Sequence, residues 1–429
     1  MSKQQTITAI DIGSSKITTL IASVSTEEDK LNVIGVANTP SRGLRKSQIV
    51  DIEEAINAIT QSVESAERMA GYSIDSALIS IGGVHIESQN SKGVVAVSQP
   101  ENEIVHNDIE RVIDAARAIS LPSSREILHV IPRDFMVDSQ GGIKDPLGMT
   151  GVRLEVETHI ISCLTTASRN IGKCVNELGV DMAGLTFTGL AAAESVLTDT
   201  EKELGVCLVD IGGGSTSIAI WVEGALSYSS VLPVGAKNIT NDLAIGLRIS
   251  LDSAEKIKLE LSKVSDEWEK KKIKRDKDTD KINFIGLGLV EDLKSASFKT
   301  MTEGIIRPRI NEIFSLVGEE LNKSGFAGAT PAGIVLTGGG AMTVNIVDSA
   351  KRTLSLPVRI GEPGGLSGLT EDINSPQFAV AQGLVLNAWR NSLISTGPKR
   401  STSFSKIVSR VPVKGAFNKI VSIVKSFLP

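Results

Sequence analysis

Residues 206–221 read VCLVDIGGGSTSIAIW, a run of apolar and β-branched residues interrupted by a glycine-rich turn. Such runs on both sides of a turn predict a β-hairpin. Residues 6–23, TITAIDIGSSKITTLIAS, have the same arrangement about two hundred positions earlier. This repeat of strand, Asp-Ile-Gly turn and strand indicates two related halves, each with its own sheet.

Strand and helix patterns alternate after each hairpin. The apolar spacing predicts helices over 51–70, 107–119 and 341–354, and strands over 77–81 and 333–337. This mixture predicts an α/β fold in which helices cover mixed sheets.

The composition is that of a globular protein with a large core. The chain has 429 residues, of which 41% are hydrophobic, and about 100–200 residues per domain predicts two to four domains. Cys163, Cys174 and Cys207 have no paired spacing, which excludes a disulfide framework or a zinc ribbon and favours a reducing compartment. We expect no signal peptide, and no apolar run reaches the ~20 residues that span a bilayer.

The charge is unevenly distributed along the chain. The formal net charge is −5, but the last acidic residue is Asp372, and only positive charges follow it. An acidic body argues against general nucleic-acid binding, and the basic tail indicates a local anionic partner.

Glycine-rich turns follow predicted strands at Gly13–Ser15, Gly212–Gly214 and Gly338–Gly340. Glycines let backbone N–H groups approach a phosphate chain closely, and small hydroxyl side chains add donors. None of the turns is a Walker A motif or a Rossmann fingerprint. Plain hairpin turns are the alternative, but the repetition favours a phosphate-binding site.

Asp11 and Asp210 end the first strand of each hairpin. Two carboxylates beside a polyphosphate can hold the waters of a Mg²⁺ ion. The alternative is that each Asp only caps its own turn. His85, His106, His129 and His159 have no metal-ligand spacing, which favours structural roles.

The C-terminal residues predict a membrane-binding helix. On a helix over 413–428, the apolar residues fall within one arc of roughly 160°, and Lys414, Lys419 and Lys425 fall outside it. This pattern is typical of a helix that lies on an anionic bilayer surface. The predicted membrane contacts are Phe417, Ile420, Val421, Val424 and Phe427, with those three lysines. Docking of the helix on the protein core is the alternative.

Longer motifs resemble one family. Residues 128–140 (LHVIPRDFMVDSQ) and 142–156 (GIKDPLGMTGVRLEV) are similar to the signature of the FtsA family of bacterial cell-division proteins, within the actin/Hsp70/sugar-kinase superfamily. Shorter matches lie at 40–43 (PSRG), 203–214 (ELGVCLVDIGGG) and 334–340 (IVLTGGG). The resemblance covers roughly residues 5–390, and the tail is of the expected type.

The resemblance implies a two-lobed actin-like (ribonuclease H-like) ATPase fold with a family-specific 1C subdomain. The implied division is subdomain 1A at 5–83, 163–203 and 373–390, 1C at 84–162, 2A at 204–235 and 300–372, 2B at 236–299, a flexible linker at 391–412 and the membrane helix at 413–428.

It also implies ATP and Mg²⁺ as ligands, with at most weak hydrolysis. The implied nucleotide-binding residues are Asp11, Gly13, Ser14, Ser15, Lys16, Asp210, Gly212, Gly213, Gly214, Ser215, Thr216, Gly235, Glu255, Lys258, Gly338, Gly339 and Gly340. Of these, Asp11 and Asp210 are expected at the metal. Glu194 falls where relatives orient the attacking water, so we expect it to act as a general base. The alternative for Glu194 is a solvated helix residue.

The implied function is a protein that polymerises on the inner face of the cytoplasmic membrane, at the division septum. It anchors the FtsZ ring and recruits later division proteins through subdomain 1C. The acidic C-terminal peptide of FtsZ is expected to bind at subdomain 2B and its edge, where Arg309 is the matching residue. An internal salt bridge of Arg309, with Glu312 or another helix neighbour, is the alternative.

Two other functions fit the same superfamily. A small-molecule kinase needs an acceptor pocket with a catalytic Asp between the lobes, and no such residue is identifiable. A pilus-assembly adaptor shares the 1C type of insertion. The signature at 128–156 and the terminal helix favour the FtsA family.

Overall fold

The computed structural model forms both predicted hairpins and describes residues 6–25, 30–98, 103–271, 280–369 and 373–395. The strands are β1 (Thr6–Ile12), β2 (Lys16–Ser25), β3 (Lys30–Pro40), β4 (Leu44–Arg45), β5 (Gln48–Ile49), β6 (Ser76–Ile81), β7 (Glu87–Ala96), β8 (Arg125–Val137), β9 (Gln140–Ile143), β10 (Arg153–Leu164), β11 (Asp181–Phe187), β12 (Val206–Ile211), β13 (Thr216–Val222), β14 (Ala225–Leu232), β15 (Lys281–Asn283), β16 (Ser295–Ser297), β17 (Ile334–Thr337), β18 (Val358–Ile360) and β19 (Ser367–Gly368).

The α-helices are α1 (Ile52–Ala70), α2 (His106–Arg117), α3 (Thr165–Asn176), α4 (Thr188–Val196), α5 (Asp199–Leu204), α6 (Ala236–Leu247), α7 (Leu251–Lys271), α8 (Arg307–Lys323), α9 (Ile346–Leu354) and α10 (Ala379–Ser395). A π-helix, Thr300–Ile306, leads directly into α8. Met1–Ala388 form one compact unit, and of the second unit, Trp389–Pro429, the structure describes only the end of α10.

Two sheets share one design. A six-stranded sheet has the order β11-β6-β1-β2-β3-β19, and a five-stranded sheet has the order β14-β13-β12-β17-β18. In each, the predicted antiparallel hairpin lies beside a parallel strand, β6 next to β1 and β17 next to β12. In each sheet the carboxyl ends of the two parallel strands therefore lie at the same edge, and the glycine turn of the hairpin lies at that edge.

Local sequence explains the best-predicted helix, α1. The Asp51 side chain accepts a hydrogen bond from the backbone N–H of Glu54, and the helix ends at Gly71, whose φ of 65° is the left-handed conformation that glycine adopts most readily. Its apolar face is buried. A Cβ on Gly35 of β3 would lie 2.7 Å from the carbonyl oxygen of Ala66, so glycine is needed for this helix to pack on the sheet.

The insertion between β6 and α3 has a sheet and core of its own. Its four strands have the order β7-β10-β8-β9. Phe135, Leu154 and Val156 of this sheet pack with Val112 and Ala116 of α2. Ser88 and Asn90 of β7 hydrogen-bond to backbone groups of β14, which joins the insertion to the five-stranded sheet.

Two sequence predictions need correction. The helix predicted over 341–354 is instead a 3₁₀ turn, Gly339–Met342, followed by α9, because Asn345 adopts a left-handed φ of 63° that breaks the helix. The predicted linker over 391–412 begins inside a helix, since α10 continues to Ser395. The rest of the linker and the predicted helix over 413–428 lie outside the described residues. In the ranges that the structure describes, no helix has the length and apolarity needed to cross a membrane.

Candidate nucleotide site

The two predicted phosphate loops face each other. Each loop is a tight turn, closed by hydrogen bonds from Gly13 N to Lys16 O (3.1 Å) and from Gly212 N to Ser215 O (2.9 Å). A Cβ on Gly213 would lie only 2.7 Å from the Cβ of Ser15. The fold therefore brings residues of the two hairpins into direct contact.

Two carboxylates and one amine are buried next to these loops. Burial raises the pKa of Asp11, although a 2.7 Å hydrogen bond from Ser80 opposes the shift. Burial raises the pKa of Asp210 to about 7, and the negative charge of Asp11 adds to this effect. Burial lowers the pKa of Lys16 to about 8, although the negative charges of both carboxylates oppose this shift. The three groups thus lie close enough to perturb one another.

The ammonium group of Lys16 has no hydrogen-bond acceptor among the described residues. It lies 4.2 Å from the ring centroid of Phe378. A buried cation without an acceptor is costly, and a phosphate oxygen would satisfy it. The described residues include no cluster of three or more His, Cys, Asp or Glu side chains suited to a metal. A Mg²⁺ ion here would therefore use Asp11 and Asp210 together with phosphate oxygens and water, which is its usual environment.

The third glycine turn lies beside Asp210. A Cβ on Gly338, whose φ is 82°, would lie 2.2 Å from Oδ1 of Asp210, and one on Gly340 would lie 2.3 Å from Cγ2 of Ile211. Gly339 differs, because its Cβ would clash with nothing and would only make an ordinary van der Waals contact, 3.8 Å from the Cβ of Gln377. The exposed backbone of Gly339 can therefore approach a ligand, while its neighbours pack against β12.

Gly235 supports the second loop. A Cβ at this position would lie 2.6 Å from the carbonyl oxygen of Gly212. The first N–H groups of α6, from Ala236 and Lys237, donate to the carbonyl oxygens of Gly212 and Gly213 at 2.9 and 2.8 Å. Gly235 thus allows the close packing that holds the loop.

Glu255 and Lys258 form a cluster with α6. The Lys258 ammonium lies 2.6 Å from Oε2 of Glu255 and 3.0 Å from the hydroxyl of Thr240. One turn earlier on α6, Lys237 donates from Nζ to the carbonyl oxygen of Ser14 at 2.8 Å. Burial lowers the pKa of Lys237, although the negative charge of Glu255 opposes this shift. Lys237, which the sequence analysis missed, therefore links this cluster to the first loop.

Glu194 is not brought to the loops. It forms an ion pair with Lys202, and each side chain is only 10% exposed, which contradicts the alternative of a solvated helix residue. Lys202 lies over the ring of Trp221, which pairs with Val206 at the end of β12 opposite the loop. The first residue of α4, Thr188, is the one near the site.

Thr188 has its hydroxyl oxygen 2.9 Å from that of Ser217, the residue paired with Asp210. Glu194 lies six positions further along α4, about 9 Å at 1.5 Å per residue. The side chain that α4 presents to this edge is thus an alcohol and not a carboxylate.

Arg309 lies in a separate groove with a volume of about 260 Å³, lined by Asp242, Gly304, Ile305, Pro308, Arg309 and Glu312. Its Nε and Nη2 lie 2.6 and 2.9 Å from the carboxylate oxygens of Asp242, and its Nη1 lies 2.5 Å from Glu312. The predicted alternative, an internal salt bridge with Glu312, is therefore present. The predicted membrane contacts between 414 and 427 lie outside the described residues.

Two of the four histidines have the hydrogen-bond partners expected of structural residues. His129 accepts a hydrogen bond from the backbone N–H of Phe187 at 3.0 Å. His159 lies between Asn90 and Ser229, with its ring nitrogens 2.7 and 3.0 Å from their oxygens. His85 is buried, but neither ring nitrogen has a partner in the described ranges.

Sequence comparison gives the family. A profile described as "SHS2 domain inserted in FTSA" matches residues 83–162, and one described as "Cell division protein FtsA" matches residues 207–383. The cell division protein FtsA of Pseudomonas aeruginosa is 40% identical over 410 residues, which cover 95% of this chain and 94% of that protein. The protein of the same name from Bacillus subtilis is 37% identical, with 92% and 86% covered.

Comparison with solved structures gives the fold. The chain is similar to a chain of a PilM–PilN type IV pilus biogenesis complex, with a TM-score of 0.63 at 15% identity, covering 89% of this chain and 98% of that one. It is also similar to MreB5 of Spiroplasma citri bound to ADP and to the same protein bound to AMPPNP, each with a TM-score of 0.51 at 14% identity. These two matches cover 92% and 91% of this chain, and 99% and 97% of the others.

At such low identity these structures carry the fold alone, which is the actin-like fold that the sequence predicted. The relatives that match almost the whole chain at 37–40% identity show which family with this fold the chain belongs to. The chain belongs to the FtsA family of cell-division proteins.

Proposed function

We propose that this protein binds ATP and Mg²⁺ between its two phosphate loops and serves as a polymerising membrane anchor for the FtsZ ring. The observation that carries the nucleotide part is the buried group of Asp11, Asp210 and Lys16 beside the two facing glycine turns. MreB5, which has a similar fold, binds ADP and AMPPNP, and this supports an adenine nucleotide as the ligand of this chain.

Each element has a distinct part in this proposal. Backbone N–H groups of Gly13–Ser15 and Gly212–Gly214 would bind the phosphates, and Lys16 would neutralise them. Asp11 and Asp210 would hold the hydrated Mg²⁺ ion, which shields the negative charge of the triphosphate. The open face of Gly339 would lie against the nucleoside. Hydrolysis would be slow, because α4 presents the hydroxyl of Thr188 and not a carboxylate base.

The partners follow from family membership. We propose that the groove at Arg309 binds the C-terminal peptide of FtsZ, that the insertion at 84–162 contacts later division proteins, and that the basic tail binds the inner face of the cytoplasmic membrane at the septum. The separate core of the insertion supports its role as an independent contact module. Contacts between copies of the chain would form filaments along the membrane.

Gly339→Leu tests the nucleotide site. The Cβ of the added side chain clashes with nothing, so the fold should persist, but the side chain would fill the surface against which we place the nucleoside. We expect calorimetry with ATP and Mg²⁺ to give an affinity lowered by more than about tenfold, roughly 1.4 kcal/mol.

Gly328→Leu is the matched control, because a Cβ there also clashes with nothing, in a 3₁₀ turn outside the site. It should bind ATP like the wild type. Undiminished affinity of Gly339→Leu, or wild-type protein that binds no ATP, would refute the site assignment.

A further inference from the structure

The short hairpin of β4 and β5 inserts its tip between the two phosphate loops. Its turn residues, Lys46 and Ser47, have φ values of 49° and 58°. Two consecutive left-handed residues define the turn that two-residue hairpins prefer, but asparagine and glycine usually occupy these positions. A Lys-Ser pair in this conformation is strained, and strained backbone clusters at ligand-binding and switch regions.

Ser47 links the two loops directly. Its backbone N–H donates to the hydroxyl of Ser14 at 2.5 Å, and its own hydroxyl oxygen lies 3.2 Å from that of Ser14. The same hydroxyl oxygen lies 2.9 Å from that of Ser215. One side chain therefore contacts a predicted phosphate-binding hydroxyl from each hairpin.

The loops are shaped to admit this tip. A Cβ on Gly214 would lie 3.2 Å from the Cα of Lys46, and one on Gly83 would lie 3.0 Å from the carbonyl oxygen of Lys46. Gly83 itself has a φ of 104°. Glycines on two separate segments thus make room for the backbone of the hairpin tip.

The tip and the third glycine turn lie on opposite sides of β12. Gly338 and Gly340 follow β17 and pack on Asp210 and Ile211 of β12, whereas Ser47 contacts Ser215, which leads into β13 on the other side of β12. A nucleotide whose nucleoside lies against Gly339 would extend its phosphates across the second loop toward Ser47. The phosphate nearest Ser47 would then be the last one of the chain.

We propose that Ser47 is a specificity-determining residue that contacts the terminal phosphate of a nucleoside triphosphate, so that the β4–β5 hairpin distinguishes ATP from ADP. This inference rests on the proposed nucleotide site. The hydroxyls of Ser14, Ser47 and Ser215 can each donate one hydrogen bond, and phosphate oxygens are acceptors. All three can therefore turn from one another to a phosphate by rotation of the hydroxyl groups.

The test is the ratio of the ADP and ATP dissociation constants, measured by calorimetry on the full chain with Mg²⁺. Ser47→Gly removes the hydroxyl and also relieves the left-handed strain, so the hairpin should still form. We expect ATP affinity to fall by about tenfold, the usual effect of one hydrogen bond to a charged group, while ADP affinity stays within about twofold. Ser47→Ala should give the same ratio.

Ser139→Gly is the matched control. Asp138 and Ser139 form the turn between β8 and β9, with φ values of 47° and 75°, and Ser139 is exposed in the insertion. This variant relieves the same strain elsewhere and should keep the wild-type ratio.

The proposal fails if Ser47→Gly and Ser47→Ala keep the wild-type ratio, or if they lose ATP and ADP affinity equally. A changed ratio in Ser139→Gly would also overturn it, since the ratio would then respond to a serine outside the site. Wild-type protein that binds neither nucleotide would remove the proposed nucleotide site and this inference together. Normal wild-type binding with an unchanged variant ratio removes this inference alone.

Discussion

Glu194 and Lys202 form an ion pair, 3.2 Å apart, in which both side chains are almost buried. Removal of the Glu194 charge leaves the Lys202 ammonium buried without its anionic partner. Glu194→Gln should therefore lower the free energy of unfolding by about 3 kcal/mol, and Glu194→Gln combined with Lys202→Met should recover part of the loss. ATP affinity should not change, because the pair lies away from the loops.

Chemical denaturation of the single and double variants measures this coupling. Glu203→Gln, an exposed neighbour in α5, is the control and should be within about 0.5 kcal/mol of wild type. A Glu194→Gln variant of normal stability that had lost ATP affinity or turnover would instead return Glu194 to a catalytic role.

The outcome for Glu194 shows what the sequence could and could not predict. The hairpins and α1 depend on local apolar spacing and turn residues, so they were predictable. The distance from Glu194 to the loops depends on which end of α4 packs against β13, which no local pattern determines. Ser47 was missed for a similar reason, because β4 and β5 are too short to give an alternating pattern.

Arg309 gives a prediction about the FtsZ peptide. The exposed Glu312 holds one side of its guanidinium, and the less exposed Asp242 holds the other in a bidentate pair. We expect a carboxylate of the acidic peptide to replace Glu312 while Asp242 keeps the guanidinium in place. Arg309→Ala should therefore weaken binding by about 1–3 kcal/mol, and Glu312→Gln should strengthen it because a competitor is removed.

Fluorescence anisotropy with a labelled peptide provides the measurement. Lys323→Ala, at the exposed C-terminal end of the same helix, should bind like the wild type. Equal affinities for wild type and Arg309→Ala would place the peptide elsewhere.

Two buried histidines predict acid sensitivity. Burial lowers the pKa of His129 to about 4 and that of His159 to about 3, with the charge of Arg133 adding to the latter shift. In the unfolded chain the pKa is about 6.5. The stability that depends on the neutral rings is therefore complete above pH 6.5 and is lost as the pH falls toward 4, because only the unfolded chain takes up these protons.

Each histidine should contribute a slope of about 1.4 kcal/mol per pH unit in this window. His129→Gln, which cannot titrate but keeps an acceptor for Phe187, should have a correspondingly smaller slope in denaturation experiments at pH 7.0, 6.0 and 5.0. Parallel slopes for wild type and His129→Gln would show that His129 does not remain neutral in the folded protein.

The helix that the sequence predicts over 413–428 should bind membranes reversibly. Residues 413–428 carry Phe417 and Val424 within one apolar arc, and three lysines and no acidic residue outside it. On an anionic bilayer, each lysine contributes about 1 kcal/mol and the apolar arc adds its burial. Phe417→Glu or Val424→Glu places a charge in that arc and should lower the fraction of protein that co-sediments with anionic liposomes by about tenfold or more.

Ser422→Glu is the matched control, because it adds the same charge on the polar side of the helix. It should weaken the free energy of membrane binding only by its electrostatic part, about 1 kcal/mol, and this loss should disappear with neutral vesicles. The two effects separate because apolar burial does not depend on the vesicle charge, whereas attraction of the lysines does. Wild-type protein that stays in the supernatant with anionic vesicles, or Phe417→Glu that pellets as well as Ser422→Glu, would contradict membrane anchoring by this helix.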